Sequence, residues 1–148
     1  MQHEGMVHAL SEIHRTLVPD GILIDLRPMS EERRVEVFSA RKTQEMGYAT
    51  LLSRELDDNA AANQAMTTVE SKGWFTRERE ENFPIHYVWD SPKEMEEWID
   101  DEWEDFIELD EDLKQATRSA WALGDGDTHV RLRIKMLITR WIKLNKKI

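Results

Sequence analysis

Apolar residues recur at Met6, Leu10, Ile13 and Leu17, with Val7 and His14 beside them, and this 3.6-residue spacing predicts an amphipathic helix. Pro19-Asp20-Gly21 stops it, because proline disfavours helix at the residue before it and glycine permits a turn. Ile22-Leu23-Ile24-Asp25-Leu26 then reads as a short, nearly all-apolar strand of the kind covered on both faces, ended by Pro28. Residues 33–40 alternate around Val35 and Val37, and residues 48–53 are β-prone. Gln44 to Gly47 supplies a turn between them, which predicts a hairpin.

Asp57 and Asp58 are N-cap candidates for a helix through Ala61, Ala62, Ala65, Met66 and Val69, closed by Gly73. Residues 74–89 are strand-like, with Ile85-His86-Tyr87-Val88-Trp89 the strongest part. Ser91-Pro92-Lys93-Glu94 is a helix start with a capping box, and Met95, Trp98, Ile99, Trp103 and Phe106 follow on one face. A further helix around Leu113, Ala116, Ala120 and Leu123 ends at Gly124. Residues 130–144 form the last strand, with Val130, Leu132, Ile134 and Met136 alternating against Arg131, Arg133 and Lys135. The order is helix, strand, hairpin, helix, strand, two helices, strand. It predicts an α/β fold with one mixed sheet of about five strands and helices packed on it, in a single domain over residues 1–148.

Charge adds an asymmetry to this pattern. The net charge is −10, from 30 acidic and 20 basic residues, which opposes the phosphate neutralisation that nucleic-acid binding needs. Residues 94–112 hold twelve carboxylates and no Lys or Arg, whereas residues 129–148 hold seven Lys or Arg and no carboxylate. Two readings follow: these segments face each other or water, or a basic partner docks on the acidic helix. No run approaches the ~18 apolar residues of a membrane span, and the N-terminal segment is not a secretory signal. A chain without cysteine has neither disulfides nor thiolate chemistry and is compatible with the cytoplasm.

Residues 10–27, Leu-Ser-Glu-Ile-His-Arg-Thr-Leu-Val-Pro-Asp-Gly-Ile-Leu-Ile-Asp-Leu-Arg, resemble a stretch common in class I S-adenosylmethionine-dependent methyltransferases. There a helix carrying a Glu-Ile-His-Arg-like segment leads through a Pro-Gly turn into the fifth strand of the sheet. Asp20 stands where that family has Gly or Asp. The resemblance implies the C-terminal half of a Rossmann-like methyltransferase fold. Residues 33–53 would then be an inserted hairpin, and the helices after Ser91 a second insertion.

In that family the cofactor lies at a Gly-rich turn after the first strand, and the elements that bind it would precede Met1. The six glycines, Gly5, Gly21, Gly47, Gly73, Gly124 and Gly126, form no Gly-x-Gly-x-x-Gly loop. Gly124-Asp125-Gly126 lies between a helix and a strand, the reverse of the order that nucleotide cradles use. No cofactor-binding residue is therefore expected, and the chain should not hold S-adenosylmethionine by the family's method.

The remaining motifs favour structure over chemistry. His3-Glu4-Gly5-Met6-Val7-His8 is similar to a His-Glu-x-x-His zinc helix, but it places the second histidine five residues from the first. Those imidazoles would diverge by about 140° around a helix, so no metal site is expected. Asp125-Gly126-Asp127 lacks the further oxygens of a calcium loop and reads as a turn. The six tryptophans read mainly as packing residues, with Trp98 and Trp103 in a helix core, and base stacking is disfavoured by the acidic balance.

Ligands of open α/β sheets collect beyond the carboxyl ends of parallel strands. If the family topology holds, Arg27 follows one such strand, Trp89 closes a second, and the antiparallel last strand begins between them near His129 and Arg131. Arg27, Trp89, His129 and Arg131 therefore mark the candidate ligand pocket. Arg27 suits a carboxylate or phosphate, and His129 or His86 suits proton exchange. The competing reading pairs Arg27 with surface acids and leaves His129 as a turn residue.

The function expected is that of a methyltransferase-like interaction or regulatory module without independent catalysis. Its alternative is part of a methyltransferase completed by a partner chain. The raw strand edge at Ile22 to Leu26 calls for a homodimer, a partner protein or the chain's own hairpin as its cover.

Overall fold

The computed structural model describes residues 3–145. The elements are α1 (His3–Thr16), β1 (Ile22–Pro28), β2 (Arg33–Phe38), β3 (Thr43–Leu51), α2 (Ser53–Ser71), β4 (Phe75–Trp89), α3 (Pro92–Glu102), β5 (Ile107–Glu108), α4 (Glu111–Ala122) and β6 (His129–Lys143). The protein is α/β, and the described residues form four helices and one six-stranded sheet whose ladders run antiparallel. Its residues fall into two compact units. The first takes in residues up to Met29, Leu56–Phe83 and Met136 onward; the second takes in Ser30–Glu55 and Pro84–Lys135.

In the first unit, β1 pairs with β6 from Ile22↔Ile142 to Pro28↔Met136. The early part of β4 lies along the same stretch of β6. Leu144 N–H donates to the Trp74 carbonyl (2.8 Å), Arg140 Nε to Glu78 (2.9 Å) and Thr139 Oγ1 to Glu80 (2.9 Å). These contacts fix β4 antiparallel to β6. The core joins Met66 and Val69 of α2 to Trp74, Phe75 and Trp141, with Val7, Leu10 and Leu17 of α1 and Leu23 of β1 against it.

The expected turn at Pro19-Asp20-Gly21 forms there. Asp20 takes φ 61°, a left-handed conformation that Asp adopts more readily than most residues, and Gly21 N–H donates to Val18 O at 2.9 Å. The buried His14 reaches the end of β6 through an Nε2···O contact of 2.8 Å to the Leu144 carbonyl. Since a carbonyl only accepts, Nε2 carries the hydrogen. The imidazole edge also meets Phe75 at 5.4 Å between centroids.

Strand β1 differs from its expected burial. Leu23, Asp25 and Arg27 turn inward, but Ile22, Ile24 and Leu26 are 44, 52 and 52% exposed. The cause is that the core of this unit sits on the face of Leu23 and its register partner Trp141. Alternation along a strand then sends the three even-numbered side chains to the other side.

In the second unit, β2 pairs with β6 from Arg34↔Arg133 to Phe38↔His129 and with β3 on its other side. Val35, Val37, Val130, Leu132 and Ile134 form its sheet core, with Met95 and Ile99 of α3 and Leu113 of α4 also buried. The hairpin turn falls at Ser39–Lys42, where Ser39 N–H donates to Lys42 O at 2.8 Å, rather than at Gln44 to Gly47. Gly47 lies instead inside β3 opposite Val35, at the irregularity between Val35 and Glu36. It has φ +150°, and a Cβ there would come within 3.1 Å of Leu113. Glycine here serves a strand irregularity under a packed helix, not a turn.

Helix α2 begins at Ser53, ahead of the Asp57–Asp58 start that the sequence suggested. The short β5, paired with β3 at Leu51↔Ile107, was not expected and brings the strands to six. The α3 start follows its motif: Ser91 Oγ accepts from Glu94 N–H (3.2 Å), while Glu94 Oε2 accepts from Asp90 N–H (3.1 Å). Asp110 caps α4 by accepting from Leu113 N–H at 2.8 Å.

Candidate functional site

Of the four side chains that the sequence nominates, Trp89, His129 and Arg131 lie in the second unit, and Arg27 belongs to the first. Arg27 is occupied locally. Its Nε donates to Asp25 (2.9 and 3.1 Å) and its Nη1 to Asn63 (2.7 Å) and Asn59 (3.4 Å) on α2. A guanidinium with these acceptors, 18% exposed, clamps β1 to α2 rather than waiting for an anion.

Arg131 is occupied in the same way. Its Nε donates to Glu36 at 2.7 Å, and its guanidinium carbon lies 4.5 Å from the centre of the Phe38 ring. Glu36 is only 5% exposed, so the pair neutralises a buried carboxylate that would otherwise be costly. Arg34 stands 3.7 Å away on the other side of Glu36.

His129 bridges two loops. Its Nδ1 lies 2.7 Å from the Asp127 carbonyl and its Nε2 3.3 Å from Asp90 Oδ1. Trp121 Nε1 reaches the carbonyls of both Asp90 and Thr128, each at 3.0 Å. A shallow cleft of about 500 Å³ opens over Asp90, Trp121, Asp125, Thr128 and His129. His86, on β4, titrates below its ordinary range because partial desolvation and then the Arg131 charge disfavour its imidazolium. Neither His86 nor His129 is hydrogen-bonded to a hydroxyl among the described residues, so neither stands as the base of a nucleophile pair. Charges here are held in pairs, which suits fixing a surface more than moving a proton.

Trp89 leads to the feature that sequence reasoning missed. Its ring stacks near Tyr87 (6.3 Å, 20°) and meets Trp103 nearly at right angles (6.5 Å, 83°). Trp103 also receives Tyr87 edge to face at 4.7 Å and Trp98 at 6.3 Å. Tyr87 is 38% and Trp98 41% exposed, so Trp98 is a surface residue and not the core residue expected. The signal is two aromatics spaced i, i+2 on a strand, with one more within the next helix and one at its C-cap. In sequence alone the same spacing reads equally as core packing.

Beside α3 a second cleft, about 530 Å³, has an apolar floor of Leu52, Ile99, Ile107 and Leu109 under Glu96, Asp100 and further carboxylates. Among the described residues, no three His, Asp or Glu side chains converge as metal ligands. The strand-to-helix turns carry Leu52, Asp90-Ser91 and Leu109-Asp110, with no glycine among them. They do not fit the Gly-rich cradle through which methyltransferases hold S-adenosylmethionine. Among the described residues, no helix is long and apolar enough to cross a membrane. No family model, no curated protein and no solved structure matches this chain.

Proposed function

We propose that this protein is a methyltransferase-like interaction module of the cytoplasm, without catalysis of its own, that assembles through the bare apolar face of its first unit. The observation that carries this reading is the exposure of Ile22, Ile24 and Leu26; the half-buried Ile142 and Ile138, register partners of Ile22 and Leu26, extend the same apolar surface on either side of Arg140, the partner of Ile24. Contiguous apolar surface of this kind on a folded domain marks an association site. The occupant proposed is a second copy. The charges on this face come as a matched pair, Arg140 with Glu78 at 2.9 Å, so two copies meet around a two-fold axis without net repulsion. Sheet-on-sheet packing then covers on each copy what α1 and α2 leave open.

The methyltransferase-like build is supported by β6 running against both β1 and β4, the arrangement that the resemblance of residues 10–27 implies. The lack of catalysis rests on the occupied state of Arg27 and Arg131 and on turns without a glycine cradle.

Light scattering at micromolar concentration should give twice the 17.5 kDa chain mass. A single-chain mass overturns the dimer. Calorimetric titration with S-adenosylmethionine should give no binding heat, and a micromolar one-to-one complex overturns the non-catalytic reading.

A further inference from the structure

Four aromatic rings elsewhere in the protein each carry a cation of the chain itself. Lys72 lies over Trp74 (5.3 Å) and Arg77 over Trp141 (5.2 Å) in the first unit, and Arg54 lies over Phe106 (4.9 Å) and Arg131 over Phe38 (4.5 Å) in the second. The four-ring cluster of Tyr87, Trp89, Trp98 and Trp103 is the largest aromatic group in the second unit. Among the described residues, no cation of the chain sits over any of its rings.

Its surroundings explain the vacancy. Residues 94–112 offer twelve carboxylates and no Lys or Arg. On α3, Asp101 and Glu102 lie three and four positions after Trp98, on the same stretch of helix surface, and both are exposed. Neither makes an ion pair among the described residues. Glu97 has only a long contact, 3.9 Å, with the exposed Lys93. Glu96, Asp105 and Glu111 of the same segment pair with Arg118, Arg54 and Lys114, but Tyr87 and Trp98 present exposed ring surface and Trp98 has the unpaired Asp101 and Glu102 on its own stretch of helix. A solvated acidic face has no need of exposed tryptophan, and a core has no need of twelve carboxylates.

We infer that this surface docks an arginine-bearing segment of a partner protein, guanidinium groups stacking on Tyr87 and Trp98 while Asp101, Glu102 and neighbouring carboxylates neutralise them. Arginine fits both halves of the site, since its planar guanidinium stacks on rings and pairs with carboxylates, and it is less strongly hydrated than lysine. The surface is distinct from the apolar face of the first unit and does not depend on dimer formation.

The test uses the full chain and a fluorescently labelled octa-arginine peptide as probe. Anisotropy should report a one-to-one complex that quenches the protein's tryptophan emission and weakens as salt rises. Tyr87→Ala with Trp98→Ala should weaken it about four- to twenty-five-fold, at about two- to fivefold for each ring, with the circular dichroism unchanged. Should the double variant misfold, Trp98→Leu alone, at an exposed position, should weaken binding about two- to fivefold. Asp101→Asn with Glu102→Gln should flatten the salt dependence, which the aromatic variants leave intact. Absence of binding, or binding to the aromatic variants as tight as to the wild type, overturns the inference. The second result would reduce the interaction to plain attraction by the net charge.

Discussion

Strand β6 belongs to both compact units, and its two ends are buried differently. In the second unit the even-numbered Val130, Leu132 and Ile134 are 0, 0 and 8% exposed, and the arginines between them are half-buried. In the first unit the odd-numbered Thr139 and Trp141 are the buried residues, at 1 and 2%, and the intervening Arg140 is exposed. The side chains opposite the core also differ. In the second unit they are charged and paired, as with Arg131 and Glu36; in the first they are mostly apolar, Ile22, Ile24 and Leu26 of β1 with Ile138 and Ile142 of β6, around the single pair Arg140–Glu78. One strand thus shows two ways to finish a sheet face, one closed by internal ion pairs and one left largely apolar and exposed. The proposed dimer rests on this difference: Ile22, Ile24 and Leu26 stay exposed, whereas the corresponding face of the second unit is closed by the chain's own ion pairs.

The comparison breaks most clearly in the cores. Trp141→Ala should cost about 3–5 kcal/mol of stability in urea unfolding, as deletion of a buried aromatic does. Ile24→Ala, on the bare face, should change monomer stability by less than about 0.5 kcal/mol. Equal losses would show that the apolar face is already covered within the chain.

The ion pair of the second unit gives the next effect. Arg33 and Glu55 have side chains only 4 and 14% exposed and are hydrogen-bonded to each other. Burial pulls the Arg33 pKa below its ordinary value, against which the Glu55 carboxylate acts. Arg33→Met alone should cost about 3–5 kcal/mol by stranding Glu55, and adding Glu55→Leu should recover much of it. A double variant as unstable as the single one would assign the loss to packing instead.

Gly47→Ala should cost about 1–3 kcal/mol, since alanine resists the +150° φ and its Cβ would crowd Leu113. A neutral result would mean that β3 shifts freely beneath α4.

Sequence legibility followed the same division. Elements set by local chemistry were readable: the Ser91-Pro92-Glu94 start of α3, the Pro19-Asp20-Gly21 turn and the alternating Val130 to Ile134. What depends on distant residues was not. Ile22-Leu23-Ile24 reads as a strand covered on both faces, because the sequence of a strand does not reveal that helices cover only one side of it. Gly47 reads as a turn because glycine marks turns and irregularities alike. The site expectation named Arg27 and Arg131 by their chemistry, but their acceptors, Asn63 and Glu36, come from elements 36 and 95 residues away.

The acidic helix sharpens the comparison on a smaller scale. Its carboxylates are not equivalent: Glu96 is hydrogen-bonded to Arg118 with its side chain 12% exposed, whereas Glu97 and Asp101 face solvent. Glu97→Gln and Asp101→Asn should each stay within about 0.5 kcal/mol, and Glu96→Gln should lower the urea midpoint more than either. Equal midpoints would return Glu96 to the solvated face.

The smallest effect concerns pH. The depressed pKa of His86 means that folding favours its neutral ring, through desolvation and the Arg131 charge. Its contribution is full above the unfolded value near 6.5 and is lost as pH falls through the folded value. His86→Asn should therefore make the decline in stability below pH 6.5 slightly shallower. An unchanged pH profile would remove His86 from that decline.

The central claim, that the bare face of β1 and β6 is where a second copy joins, is tested most directly by sedimentation velocity of the wild type beside Ile24→Lys at matched concentrations. A lysine at the middle of that face places a charge on each copy that would be buried on association, at a cost that association does not meet. The wild type is predicted to sediment as a dimer and Ile24→Lys as a folded monomer with an unchanged circular dichroism spectrum. Identical sedimentation of the two proteins, whether as monomers or as dimers, would contradict it.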